Sequence, residues 1–371
     1  MAEIKLGAVI SSLETMFPPS TAESWDQVGL ASGDRDQSVG RVLLAVDPLP
    51  AVLEEAATVG ADLLVTHHPL LLHGIHTVSA DTFKGRAIRF LIENNIAAFN
   101  AHTNADVALG GVNDALADIV GLGERAPIRP AAGTVKVTLF VDEGDAPAWL
   151  QRLGTLASTS PRYSGAGYWQ RSSGQFEPGV AADPSQGEVG AAVRVQQDRL
   201  EFLAPDKAVP AIRRLIQQHH PYEVPAYDIV EVATEPAETG LGRWGELTTP
   251  TTLRGLAQRL IEGLPPSAHG VRMAGDPDAP MTAAAVCGGS GDSLLGAVRA
   301  LPVDAYVTSD LRHHPVTDHL AEGGCAILDI PHSTGEWLWL VAVAAQLQRS
   351  HPGLEVEVSQ LNTDPWTLTL H

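Results

Sequence analysis

The chain of 371 residues carries 44 Asp and Glu against 24 Lys and Arg, a formal net charge of −20. An acidic surface of that size repels phosphate backbones and anionic lipid, which disfavours nonspecific nucleic-acid or membrane-surface binding and leaves open a local positive pocket or a bound metal. Apolar content of 44% with 18% charged residues excludes a largely disordered chain, and the length predicts two or three domains.

The N-terminal stretch "MAEIKLGAVISSLETMF" lacks the long apolar core of a signal peptide and reads as an amphipathic helix. The two cysteines, Cys287 and Cys325, form no disulfide framework and no thiolate metal site, which fits a reducing compartment; a cytoplasmic location is expected. Next come the short apolar runs "RVLLAVD", "ADLLVTHH" and "IAAFNAHT", separated by the helical patterns "AVLEEAATVG" and "FKGRAIRFLIENN". This alternation predicts βα units and a mainly parallel sheet, in which functional side chains gather at the carboxyl ends of strands. His67, His68, His102 and Asp106 fall at or just after such ends.

The middle of the chain changes style. Strand "TVKVTLFVD", helix "APAWLQRLGTLAS" and strand "GYWQRSS" are followed by a long loop, "FEPGVAADPSQGEVG". Strand "AAVRVQQDRLEFLA", helix "AVPAIRRLIQQHH" and strand "AYDIVEV" complete a β-α-β-β-α-β order, the ferredoxin-like arrangement. Residues 131–238 are therefore expected to form an inserted α+β domain between the flanks 1–130 and 239–371. "GLGRWGEL" marks re-entry into the main body, with no role assigned to Arg243. Beyond it, "TAAAVCGG", "DAYVTSD" and "CAILDIPH" are strands, and "DSLLGAVRAL", "PVTDHLAEG" and "GEWLWLVAVAAQLQ" are helices. The apolar "WLWLVAVAA" is too short to span a bilayer and reads as a buried helix. The flanks are two halves of one α/β body or two similar lobes.

Five residues assemble into one candidate metal site. His67 and His68 are adjacent, Asp106 follows in "AHTNAD", and "DIPHSTGEW" supplies His332 and Glu336, four apart and so one helical turn apart on one face. Extended neighbours point to opposite sides, so His67 and His68 would reach different ions; Pro69 favours extended geometry at His68. Three imidazoles and two carboxylates able to bridge suit a dinuclear centre, with zinc, iron, manganese, cobalt or nickel as the two divalent ions. Against this, a lone histidine pair is commonly structural, and His-x-x-x-Glu alone is a weak signal. His102 could shuttle a proton or orient Asp106. Asp310, His313 and His314 in "TSDLRHH" could contact substrate or form a hydrated helix start with Asp310 as N-cap. "CGGSGDS" could hold an anion on backbone N–H groups, though it lacks the Lys of a nucleotide-binding loop and glycine turns are abundant; Cys287 reads as a small buried residue.

The motifs "WDQVGL", "THHPL", "AHTNAD", "GLGRWGEL", "VCGGSGDSLL", "TSDLRHH" and "DIPHSTGEW", in that order, closely resemble the Nif-three-like dinuclear-metal-centre family, many of whose members are labelled GTP cyclohydrolase I type 2 homologs. The resemblance implies that His67, His68, Asp106, His332 and Glu336 ligate two metals and that six chains form a hollow, toroid-like homohexamer. It also implies that "GAGYWQRSSGQFEP" and "HPYEVPAYDI" belong to a PII/CutA-like insertion. The sequence departs from the family at Gln27, at Ser309 and in "DIPH", where Asn, Gly and "DAGH" are usual. The expected function is a metal-dependent hydrolase of a small molecule, with His102 managing protons. The alternative is a non-catalytic, metal-responsive assembly whose inserted domain senses an effector. Nothing in the sequence reads guanine.

Overall fold

The alternation of the first flank is realised element by element in the computed structural model, which describes residues 4–131, 133–159, 163–232 and 238–370. Met1 to Glu3, read as the start of the first helix, lie outside the described residues. Helix α1 (Leu6–Met16) buries Leu6, Val9, Ile10 and Leu13 on one face. Strand β1 (Gly29–Ser32) precedes β2 (Arg41–Ala45), α2 (Pro50–Val59), β3 (Leu63–Thr66), α3 (Phe83–Glu93) and β4 (Ala97–Asn100). The two short helices α4 (Thr103–Val107) and α5 (Val112–Val120) lead into β5 (Leu122–Ala126) and β6 (Arg129–Pro130). Every residue of β3 and β4 is buried, as a strand covered on both faces requires.

The middle of the chain supplies β7 (Thr134–Asp142), α6 (Ala146–Leu153), β8 (Tyr168–Phe176), β9 (Val193–Pro205), α7 (Val209–His219) and β10 (Tyr227–Glu231). They form an antiparallel sheet of order β10-β7-β9-β8. Val135, Val137, Leu139, Leu200 and Phe202 on one sheet face pack with Trp149, Ile212 and Ile216 of the two helices. This core accounts for the separate compact unit Ala132–Pro236, the rest of the chain forming the other unit.

After β11 (Gly240–Leu241), which pairs with β6, the chain runs through β12 (Arg243–Thr252), α8 (Leu253–Gly263), β13 (Arg272–Ala274) and β14 (Pro280–Ser290). It continues as α9 (Leu295–Val298), β15 (Ala305–Ser309), α10 (His313–Ala321), β16 (Ala326–Asp329), α11 (His332–Ser350) and β17 (Glu355–Val358). Two sheets result, with orders β1-β4-β3-β2-β17 and β13-β16-β15-β14-β12-β5. The first is parallel apart from β1. The second is parallel only across β14-β15-β16, because β12, β5 and β13 enter antiparallel.

Each sheet borrows one strand from the other flank: β17 lies beside β2, and β5 lies beside β12. The flanks are therefore interlocked halves of one body. Helix α11 ties them together, touching β2 and β17 of one sheet and β14 and β15 of the other. Its Trp339, Leu340, Val343 and Leu347 are buried in a core with Phe17, Leu44, Val65 and Phe99, each such side chain contributing about 1.5–3 kcal/mol by leaving water. Among the described residues no helix is long and apolar enough to cross a membrane.

Candidate metal centre

The amino end of α11 sits at the carboxyl ends of strands from both sheets, and there the candidate ligands meet. Glu336 Oε1 lies 2.9 Å from His332 Nε2 and 3.5 Å from His67 Nε2, while its Oε2 lies 3.1 Å from His68 Nε2. His332 Nε2 and His68 Nε2 are 3.3 Å apart, and Asp106 Oδ1 is 3.7 Å from His67 Nε2. Donors that share a divalent cation at about 2.0–2.2 Å sit about 3.0–3.5 Å from one another, so the groups are close enough together to hold a cation. Two overlapping sets, His67-His68-His102 and His68-His332-Glu336, are each close enough to hold one.

One expectation is corrected. His67 and His68 do not point to opposite sides: their rings lie 5.1 Å apart, tilted by 51°. β3 ends at Thr66, and the chain bends through both histidines before Pro69. His67 N and His68 N still donate to the Ala45 and Val46 carbonyls at 3.2 and 2.9 Å, while Thr66 Oγ1 donates to the His68 carbonyl at 2.8 Å, a local bond that accompanies the bend bringing both imidazoles into one cluster.

The far side of each ring is held. His67 Nδ1 meets the Ala101 carbonyl at 2.9 Å, His68 Nδ1 meets Asp47 Oδ1 at 2.7 Å, and His332 Nδ1 meets Asp310 Oδ2 at 2.7 Å. His102 Nδ1 meets Asp26 Oδ1 at 2.9 Å. A proton on each Nδ1 donates to these acceptors and leaves the Nε2 lone pairs for a cation, the arrangement by which outer groups orient metal-binding histidines. Burial opposes the charge of Asp26, but hydrogen bonds from His102 and Thr103 prevail and lower its pKa to about 2. Asp106 is fixed through Asn113, which donates to the Asp106 carbonyl and accepts from Gly288 N, both at 2.8 Å.

His67 Nε2, Asp106 Oδ1 and Glu336 Oε2 are buried with no hydrogen-bond partner among the described residues. Orphaned polar atoms of this kind are costly unless something else satisfies them. With nitrogen and oxygen donors only, a divalent cation fits. Burial disfavours charge on His68 and His332, yet Glu336, with Asp47 and Asp310 respectively, outweighs it and raises them to about 10 and about 11. Burial also works against charge on Glu336, but His68, His332 and His67 hold it well below the usual carboxylate range. Burial, reinforced by Glu336, pushes Asp106 up to about 7.

The remaining expectations find their places as follows. His102 stands in the cluster, 5.2 Å from the His67 ring and 5.5 Å from the His68 ring. Asp310 is not a helix cap, since α10 is capped at Arg312; it adopts φ 59° and holds His332. His313 and His314 open α10 exposed, and among the described residues no hydrogen bond or ion pair joins them to the cluster. Cys287 is buried. The glycines of "CGGSGDS" serve close approach: a Cβ on Gly289, which has φ 69°, would lie 2.5 Å from Glu336 Oε1. Gly289→Ala is therefore expected to lower the unfolding free energy in urea by about 1–2 kcal/mol and to weaken metal binding; wild-type values for both would contradict this account.

Sequence reasoning missed Asp26, Asp47 and Thr363. Asp26 lies in "WDQVGL", quoted above only as a family motif, and Asp47 lies in "RVLLAVD" at the end of a strand. Thr363 Oγ1 donates to Asp47 Oδ2 at 2.5 Å, so the segment after β17 braces the carboxylate that orients His68. Thr363→Val should raise the metal dissociation constant about tenfold, with Thr363→Ser restoring it; chelator competition measures both.

The family model described as Duf34/NIF3 (NGG1p interacting factor 3) matches residues 4–365. A Mycobacterium tuberculosis protein named "GTP cyclohydrolase 1 type 2 homolog" is 43% identical over 98% of this chain and 97% of its own length. Among solved structures, a Bacillus cereus protein related to NIF3 is similar over 100% of both chains, with TM-score 0.69 and 30% identity. A Staphylococcus aureus protein also covers 100% of both chains, with TM-score 0.70 and 28% identity.

Proposed function

Since the chain belongs to the Duf34/NIF3 family and its histidines and carboxylates converge with orphaned donor atoms, we propose that the cluster holds two divalent cations and serves a metal-dependent hydrolase. The observation that carries this is Glu336, whose carboxylate lies within 3.5 Å of His67, His68 and His332 and is thus placed to be shared by two ions. His67, Asp106 and Glu336 would hold one ion and His68, His332 and Glu336 the other, with zinc, iron, manganese, cobalt or nickel as candidates. Two such ions acidify water and neutralise charge that develops in a displacement. Asp47, Asp310 and the Ala101 carbonyl fix the ligand tautomers. His102, with Nδ1 committed to Asp26, keeps Nε2 for proton transfer beside the ligands.

The name carried by the relatives makes GTP the first substrate to try. The strand order β10-β7-β9-β8 supports reading residues 131–238 as a ferredoxin-like, PII/CutA-like insertion. A cytoplasmic homohexamer completes the proposal, and light scattering of the purified protein tests the assembly. The central experiment is elemental analysis of protein purified under low oxygen, followed by a screen for formate release from GTP. Two equivalents of metal per chain and turnover that disappears with chelation support the reading. A metal-free protein overturns it, and full metal loading without turnover of any nucleotide turns it into a non-catalytic metal-binding assembly.

A further inference from the structure

The Ala132–Pro236 unit contains a cavity of about 540 Å³ on the sheet face away from α6 and α7. Alternation along the strands puts it there: Leu139 and Val141 join the helix-covered core, whereas Phe140 turns to the other face. Gln197 of β9, paired with Ser172, and Phe176 of β8 line the same space. The loop after β8 closes over it. Its base is joined by Gly190 N donating to the Pro178 carbonyl at 2.9 Å. Further along, Gln186 Nε2 donates to Asp142 Oδ1 at 3.1 Å and to the Tyr222 hydroxyl at 3.2 Å. Asp183 N donates to Glu223 Oε2 at 3.2 Å. The loop is thus pinned as a roof.

The lining selects a ligand class. Phe140, Phe176 and Tyr222 give aromatic walls, the last two rings lying 6.5 Å apart. Glu177 and Glu223 line the cavity, Asp142 sits behind Tyr222, and among the described residues no Lys or Arg lines it. Arg199, opposite Phe140 in the ladder, is engaged by Glu201 at 2.7 Å. Gln197 is only 7% exposed; its Nε2 is committed to the Tyr222 hydroxyl, while its Oε1 accepts no hydrogen bond among the described residues. Gly174 leaves that oxygen open, since a Cβ there would stand 3.1 Å from it. Carboxylates repel anions, aromatic faces attract cations, and an amide oxygen lining the cavity can accept from an N–H donor. We propose that this cavity binds a small organic ammonium ion, its N–H donating to Gln197 Oε1 and its apolar body held by Phe140 and Phe176.

The test is calorimetric titration of the full chain with benzylammonium, using phenylacetate as a probe of similar size and opposite charge. Saturable binding of one benzylammonium per chain is expected, at least about tenfold tighter than phenylacetate. Phe176→Leu and Gln197→Met should each weaken it about fivefold or more. Glu177→Gln, a change at an exposed residue that leaves packing untouched, should weaken it about threefold. Absence of saturable binding, equal affinity for phenylacetate, or wild-type affinity in variants whose thermal midpoints match wild type would overturn the proposal. Should the two cavity variants fail to fold, the comparison of the probes on wild type and the Glu177→Gln titration decide it.

Discussion

Glu336→Gln is expected to reduce bound metal to less than a tenth of the wild-type content, the largest functional effect of any single substitution here. The variant keeps the side-chain shape but loses the charge that faces His332, His67 and His68 at 2.9, 3.5 and 3.1 Å. A cation would then meet imidazoles and one carboxylate, Asp106, whose own charge burial disfavours. Elemental analysis reads the outcome, and wild-type metal content in the variant would refute the bridging role. The same substitution has a pH signature in metal-stripped protein. His68 and His332 are raised to about 10 and about 11, so the folded chain binds more protons than the unfolded one above the ordinary value of 6.5. Their stabilisation is complete below that pH and is lost as pH rises towards 10 and beyond. The thermal midpoint of metal-free wild type should therefore fall between pH 7 and pH 10, and fall less steeply in Glu336→Gln, which lacks the partner common to both imidazoles. Identical slopes would contradict the assignment.

Arg243→Met is expected to cost about 3–5 kcal/mol of unfolding free energy, measured by denaturant titration. Arg243 is 1% exposed and every guanidinium nitrogen is engaged. Nε and Nη2 donate to Asp114 at 2.9 and 3.1 Å, Nη1 to the carbonyls of Gly240 and Gly242 at 2.6 and 2.8 Å, and Nη2 also to the Ala108 carbonyl at 2.9 Å. These bonds join α5 and the turn before it to the β11-β12 connection, which is where the second flank rejoins the first. Methionine fills comparable volume but leaves Asp114 and three carbonyls facing it without their donor, so the loss is in polar satisfaction more than in packing. A loss below about 1 kcal/mol would show that water replaces the guanidinium at little cost.

What the sequence determined by itself was local. Buried runs such as "LLVT" and "AAFN", bounded by helical periods, identified the strands, and their ends identified His67, His68, His102 and Asp106 as neighbours of a site. The four-residue spacing of His332 and Glu336 placed both on one turn of α11. Side-chain period and hydrophobic burial act over a few residues, so they are legible in a string.

Only the tertiary structure decided the rest. The exchange of β5 and β17 between sheets depends on which edges are open after the body collapses, and no local pattern records that. The bend that brings His67 and His68 into one cluster follows β3 where the Thr66 hydroxyl bonds the His68 carbonyl, a contact that no local pattern in the string records. Asp26, Asp47, Asp310 and Thr363 matter because they stand 2.5–3 Å from a partner that is remote in the chain. Arg243 has no role in the string until its guanidinium is seen to be buried and bonded to Asp114 and the surrounding carbonyls. Hydrogen bonds between distant segments are short-ranged and directional, so their partners are fixed only once packing has brought the backbones together.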